Sequence, residues 1–323
     1  TGASPQVPVS VNSSWAVTSG GVIITLKSAL DPRAAMNHGS FRPVKVIAPE
    51  GTVVNVTHPA PAGSHGELRK RVMATMIGAL SQAAPGLVTG DMHRTSFHNM
   101  LGGTEKKTKR EYVYYEWGSG GNGAFSQADG PSAMAAVDWG TILTVQSTEI
   151  VEQNYPLRVE SSRLARGSGG DGRRRGGLGL HREIRFLGDR GSYSLLSDGA
   201  VLPAFGIAGG HAAAPVSAFV RRDGKDIAFA TPGKVGGFPV YRDDVLVLQA
   251  AGGGGYGDPL EREPERVVED LRRAYIDEAT VRDVYGVVLN GEGGVDEAAT
   301  KARRSSIGDG QRYYVRVAHA ETP

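Results

Sequence analysis

Glycine sets the first limit on what this chain can fold into. It holds 46 of 323 positions, about one in seven and roughly twice the ordinary share. Glycine weakens helix and strand interiors because it loses more backbone freedom on folding than any other residue. With 17 prolines and no collagen period, the chain must use turns and tight backbone approaches rather than long uninterrupted elements. Hydrophobic residues still make up 40% and charged residues 22%, enough for a buried core and against disorder. Cysteine is absent, which removes disulfides, thiolate metal sites and a thiol nucleophile, and points to a reducing, cytoplasmic setting. A net charge of +2 calls for no nucleic-acid partner, and no apolar run approaches the ~18 residues of a membrane span. The chain opens on Thr1 rather than Met, which reads as processing or as a missing upstream part.

The patterning predicts an α+β fold, with a β-rich second half, one long capped helix in the first half and short helices near the C-terminus. Four segments are expected: a mixed one over 1–140, a β-rich one over 141–260, a helical and strand segment over 261–290, and a polar, loosely ordered tail over 291–323. In the first, 16–26 and 44–47 read as strands. The long helix is expected over 64–84. Ser64 and Glu67 spell a capping box, Leu68, Val72, Met76, Leu80 and Ala83 recur at helical spacing, and Pro85-Gly86 ends it. The basic run Lys106-Lys107-Thr108-Lys109-Arg110 reads as a solvated loop. Strands are expected at 112–117 and around Leu157/Val159, Ile184/Phe186, Val216/Ala218/Val220 and Val245/Val247. Pro264 opens a helix, Asp277 caps another, and 285–289 is read as a final strand.

Gly118-Ser119-Gly120-Gly121-Asn122-Gly123 matches G-x-G-x-x-G, but the next residues, Ala124 to Pro131, make a poor helix, so a glycine-rich turn is the better reading. No P-loop motif is present. Five of the eight histidines fall between His38 and His98, and Asp91, His93 and His98 form the one candidate metal group, though their spacing is not diagnostic. His65 sits at the first turn of the long helix, where a neutral imidazole is favoured. Four consecutive glycines, Gly252 to Gly255, lie between a β run and a helical segment, which predicts a rim position. Bare amides there could form an anion nest, or the turn could serve flat packing.

Several segments together resemble the hydantoinase B/oxoprolinase family. They include Asn12-Ser13-Ser14-Trp15-Ala16-Val17-Thr18, Asn37-His38-Gly39-Ser40-Phe41-Arg42-Pro43, Gly169-Gly170-Asp171-Gly172 and Gly253-Gly254-Gly255-Tyr256-Gly257-Asp258-Pro259, in the family's order over roughly 1–290. The resemblance implies a B-type subunit, or the C-terminal portion of one. It would act with an A-type ATPase subunit that uses ATP and Mg2+ to phosphorylate a carbonyl oxygen of a small substrate. The B component then completes hydrolysis of a hydantoin- or 5-oxoproline-like cyclic amide. The acetone and acetophenone carboxylases are the alternative branch, and a non-catalytic scaffold is the competing class. Family members are usually much longer, so another chain supplying the N-terminal half is expected, and a divalent ion such as Zn or Mn belongs among the possible cofactors. In the strongest motif His38 is a candidate catalytic residue and Asn37 and Arg42 candidate substrate-binding ones; His65 and Glu67, at the nearby helix start, join the catalytic candidates, and Gly253, Gly254 and Gly255 the substrate-binding ones. Arg42 has the fork geometry to clamp a phosphate or carboxylate.

Overall fold

The computed structural model describes residues 2–94, 97–105, 109–136 and 145–307. The chain divides into two compact units, one ending at Val88 and the other beginning at Thr89. The first unit thus ends well short of the composition change near residue 140, and the strands between belong with the β-rich half.

In the first unit, helix α1 (Trp15–Leu30) packs on helix α3 (His65–Ala83), with a short α2 (His38–Phe41) between them in sequence. The apolar run expected as a strand is thus helical. Its buried residues, Thr18, Ser19, Gly21 and Thr25, are small and recur at helical spacing, so α1 approaches its partner closely. A Cβ on Gly21 would sit 3.0 Å from the Arg69 side chain. Thr18 donates its hydroxyl to the Val54 carbonyl (2.6 Å). β-branched residues favour strands only where a sheet receives them, and a helix satisfies its backbone alone. Residues 44–47 form no ladder either; they run as irregular chain. The long helix appears as expected, but the capping box does not form. Ser64 has ψ 33° rather than an extended value, and its side chain makes no cap hydrogen bond.

The second unit holds two antiparallel sheets. One has the order β2-β1-β5-β8, the other β3-β4-β9-β6-β7. The strands are β1 (His98–Thr104), β2 (Glu111–Trp117), β3 (Leu157–Leu164), β4 (Leu180–Phe186), β5 (Arg190–Leu196), β6 (Ser217–Arg222), β7 (Lys225–Ala228), β8 (Lys234–Tyr241) and β9 (Val245–Gln249). Both sheets contribute to one core that includes Leu101, Tyr114, Ile184, Phe186, Val220 and Leu246. The expected strands from 112 to 249 are present. β1 was hidden by its composition, since His, Asn, Gly and Thr occupy most of its positions. Helix α4 (Thr148–Asn154) interrupts the β-rich stretch and is capped by Ser147, which accepts from the Ile150 amide. Residues 141–144 and Lys106–Thr108 of the basic run lie outside the described residues.

Beside the sheets the glycines build a third core made of backbone. The segments around 90, 121, 130, 170–179, 206 and 253 run alongside one another, joined by main-chain hydrogen bonds rather than by sheet ladders. Gly253 donates to Gly177 (3.0 Å), Gly254 to Asp91 (2.8 Å) and Gly255 to His211 (3.0 Å). Successive residues thus bond to different neighbours. Cβ atoms added at Gly252, Gly253, Gly254 and Gly255 would point in turn into the backbone at Ser168, Asn122, Phe205 and Asp171, all well inside contact distance. The fourth direction returns to the segment met by the first, the three-residue repeat of an extended polyproline-type chain. Buried amides must find acceptors, and here the acceptors can come close only because no side chain intervenes.

At the C-terminal end, helices α5 (Pro264–Arg272) and α6 (Glu278–Asp283) bury Val267, Val268, Val281 and Tyr285 in a separate cluster. Asp277 caps α6 as expected, accepting from the Thr280 amide (2.8 Å). The 285–289 strand reduces to an isolated bridge between Leu289 and Val295. The expected polar tail contains helix α7 (Glu297–Ile307), started by Asp296, which accepts from the Ala299 amide (3.0 Å). It is docked by Thr300, whose hydroxyl accepts from the Val288 amide (2.9 Å). No helix among the described residues is long and apolar enough to cross a membrane.

Gly253→Ala is expected to abolish cooperative unfolding or lower the melting temperature by more than about 10 °C. Overpacking against fixed backbone costs upwards of ~4 kcal/mol, and each kcal/mol moves a domain of this size by about 2–4 °C. Gly236→Ala, with nothing within 4 Å of the added carbon, should leave melting within about 2 °C of the parent. Thermal unfolding by circular dichroism compares them.

Candidate active site

The strongest family motif folds into α2. Asn37 caps it, its side chain accepting from the Ser40 amide at 3.2 Å, and Arg42 closes it, its backbone N–H donating to the His38 carbonyl at 3.1 Å. Pro43 prevents a further turn. This geometry leaves the His38 and Arg42 side chains exposed to solvent. Asn37 thus acts locally on its helix.

His65 opens α3 and is also exposed. Its Nδ1 lies 3.1 Å from the Ala62 carbonyl. A carbonyl only accepts, so in the neutral ring Nδ1 is the donor and Nε2 keeps the lone pair. That is the form a general base needs. Glu67 follows in the same turn. It lies 3.4 Å from the ammonium of Lys70, whose side chain is almost fully buried. A buried ammonium requires a countercharge, so Glu67 also serves the helix packing of the first unit.

The other candidates sit in the second unit. Gly253, Gly254 and Gly255 lie inside the glycine bundle, not at a rim, and each amide is hydrogen-bonded to a backbone carbonyl. The geometry therefore fits packing rather than an anion nest. The G-x-G-x-x-G stretch belongs to the same bundle, and no helix opens at Gly123. Asp91 and His93 are fully buried at its margin. Asp91 pairs with Arg94 at 2.6 Å, while His93 stacks on Phe97 and meets the Gly121 carbonyl at 3.2 Å. His98 starts β1 and stacks on Tyr115. Among the described residues no group of three or more His, Asp or Glu is arranged to hold a metal ion. These residues do not fit a metal centre.

Two buried charge clusters escaped sequence reading, because no local spacing announces them. Arg262, 1% exposed, donates two bonds to Asp129 (2.7 and 2.9 Å), one to Asp270 (2.7 Å) and one to the Arg173 carbonyl (3.1 Å). Burial opposes its charge, yet the bonds to Asp129 and the charge of Asp270 hold its pKa above the ordinary arginine value. Burial would raise the Asp129 carboxyl, but Arg262 keeps it below the usual carboxylate range. Glu116 of β2 and Arg182 of β4 form the second cluster, an ion pair of 3.1 Å that links the two sheets. Here burial wins and raises the Glu116 carboxyl, with Arg182 only partly offsetting it.

These observations describe an α+β chain with a backbone core, two exposed histidines at helix starts, and no nucleotide loop or metal cluster among the described residues. The hydantoinase B/oxoprolinase model matches residues 1–259, and the chain belongs to that family. The caprolactamase subunit beta of Pseudomonas jessenii is 32% identical over 94% of this chain and 53% of that protein. The crystal structure of the ATP-dependent caprolactamase from the same organism superposes with a TM-score of 0.80 at 27% identity, covering 94% of this chain and 53% of the other. The 5-oxoprolinase of Dictyostelium discoideum is 27% identical over 79% of this chain and 19% of that protein. Nucleotide-free acetone carboxylase shares the fold, with a TM-score of 0.82 at 23% identity, covering 94% of this chain and 46% of the other. The chain spans about half the length of the curated relatives it matches most fully, 46–53%.

A raised carboxyl in the folded state binds its proton over a pH range where the unfolded chain has released it. Its stabilising proton is present below the unfolded pKa of about 4.3 and lost as pH rises through the folded value. The parent is therefore expected to gain stability relative to Glu116→Gln on going from pH 7 to pH 5, by at most about 1.4 kcal/mol per pH unit. Urea unfolding of both proteins at the two pH values measures the difference.

Proposed function

We propose that this chain is the B-type portion of an ATP-dependent amidohydrolase acting on a small cyclic amide, working with an A-type ATPase subunit. Family membership carries this reading, and the relatives matched over most of the chain include a caprolactamase subunit. An unstrained amide carbonyl is a poor electrophile, and phosphorylation of its oxygen by the A-type partner, with ATP and Mg2+, supplies the missing activation.

Within this chain the proton-handling role falls to His65 or His38. In its neutral form the exposed His65 can accept a proton at Nε2 from water as it adds to the activated carbon. The same group can then return that proton to the departing ring nitrogen, which leaves an acyl phosphate; a second water cleaves it to inorganic phosphate and the ring-opened carboxylate. Arg42 has an exposed guanidinium to hold a phosphate or carboxylate by two parallel bonds. Asn37 shapes the turn that presents it. Glu67, beside Lys70 at the start of the same helix, stays a candidate for the same proton transfer.

The chain reconstituted with an A-type subunit should couple ATP hydrolysis to ring opening of hydantoin, 5-oxoproline or caprolactam. Ketone-dependent bicarbonate fixation in its place would assign it to the carboxylase branch. His65→Ala is expected to lower coupled kcat about 10²–10⁴-fold, the usual worth of a general base. Arg42→Lys should raise KM chiefly, and unchanged melting temperatures in both variants would separate chemistry from architecture. Coupled turnover that survives both substitutions would make this part of the chain a scaffold.

A further inference from the structure

The glycine bundle brings His211 and Asp171 together. Ile207 to Gly210 form a tight turn, closed by the Gly210 amide on the Ile207 carbonyl at 2.9 Å. Both central residues are left-handed, Ala208 at φ 53° and Gly209 at φ 93°. Glycine adopts that conformation freely but alanine does so under strain, and such strain persists where the surroundings impose it. The turn delivers His211 with its backbone fixed on both sides. Its amide donates to the Asp171 carbonyl at 2.7 Å, and its carbonyl accepts from the Gly255 amide at 3.0 Å. The imidazole stands beside the Asp171 side chain, Nδ1 at 3.8 Å from the carboxylate, 37% exposed against 15% for the acid. The ring thus meets solvent on one side and a mostly covered carboxylate on the other. On the buried side of Asp171 is Tyr285, whose hydroxyl pKa is raised well above the ordinary value by burial and then by the Asp171 charge.

A carboxylate behind a half-exposed imidazole orients the ring and stabilises the imidazolium that forms when it takes a proton. Contacts of this kind are often long without substrate and tighten when it binds. With Nδ1 turned to Asp171, Nε2 is the atom that can face a reactant. Arg174 adds a cation. Its backbone pairs with Tyr256 in both directions at 2.9 Å, one residue on from the Gly255 that holds His211. Its Nε is buried with no acceptor, which suits the guanidinium to an anionic ligand. We infer that His211, Asp171 and Arg174 form a second acid–base site, which hydrolyses the acyl phosphate left after ring opening. Arg174 holds the phosphate. Water adds to the acyl carbon while His211 Nε2 takes one of its protons and passes it to solvent. The acyl C–O bond to phosphorus breaks with its electron pair going to inorganic phosphate, and the ring-opened acid keeps the water oxygen. Asp171 is the positioning residue. The inference takes its substrate from the amidohydrolase reading and gives that reading's second water a base.

The test uses the full chain. Diethyl pyrocarbonate at pH 8 acylates accessible imidazoles, and mass spectrometry reads each histidine separately. His211 is expected to react about threefold faster or more than the exposed His38 and His65, although it is the more covered ring. Asp171→Asn should bring it down to their rate, which a purely structural carboxylate would not do. Acetyl phosphate serves as the acyl phosphate. Its hydrolysis by the chain should fall about 10²-fold or more in His211→Gln, whereas Arg174→Ala should raise KM chiefly, with melting temperatures unchanged in both. The proposal is overturned if His211 reacts no faster than His38 and His65, or if Asp171→Asn leaves its rate unchanged. It is also overturned if the chain does not hydrolyse acetyl phosphate above the uncatalysed rate, or if that hydrolysis survives His211→Gln. The parent's reactivity and the His211→Gln assay decide the matter even where Asp171→Asn does not fold. No step uses ATP or an A-type subunit, so failure here leaves the amidohydrolase reading standing. An assembled enzyme that opens no cyclic amide would sink that reading and leave the reactivity of His211 as it is.

Discussion

The second unit depends on a steric condition: buried amides can pair across neighbouring segments only where no Cβ stands between them. Gly121, Gly177 and Gly253 meet that condition together. The Gly121 amide reaches the Ala251 carbonyl and the Gly253 amide reaches Gly177, both at 3.0 Å. Each such contact replaces water with backbone, and an unmet buried donor would cost about 1–3 kcal/mol. The bundle also fixes the sheets. β4 begins just after Gly179 and β9 ends shortly before Gly252, and the Ala250 amide bonds to Leu180 at 2.8 Å where they leave it. At the other side Arg262 ties Asp129 and the Arg173 carbonyl to Asp270 of α5, so one guanidinium joins the bundle to the C-terminal helices.

Composition announced that glycine mattered, and the α+β class and most strands of the second half were legible from alternation. What sequence could not convey was which backbones the glycines bring together. Four glycines in a row look the same at a surface turn and inside a bundle, because the difference lies in neighbours far away along the chain, such as Asn122 against Gly253. Residues 16–26 were misread for a related reason. Their β-branched content favours strand, yet Thr18, Gly21 and Thr25 share a helical face that only the packing against α3 reveals. The capping box at Ser64 failed at the level of one dihedral angle, which no residue type encodes.

The candidate site was legible as a motif and not as a geometry. Asn37, His38 and Arg42 were picked out by their place in a family stretch, and the fold shows only that they form one capped turn with two exposed side chains. Glu67 was chosen for its position at a helix start, where it also faces the buried Lys70 one turn on. The Arg262 and Glu116–Arg182 clusters had no local signal at all, since their partners come from distant segments. The exposed candidates His38, Arg42 and His65 lie in the first unit, and the glycine bundle lies in the second.

The central claim is that the glycine bundle is the last part of the protein to open. Amide hydrogen exchange on the full chain, resolved to single residues, tests it directly. The amides of Gly253, Gly254 and Gly255 should exchange only through global unfolding, with protection equal to that of the β4 and β9 core strands. Exchange of those three amides at the rate of exposed turns such as Asp223-Gly224 would contradict the account, because a backbone core that opens locally cannot be what holds the sheets in place.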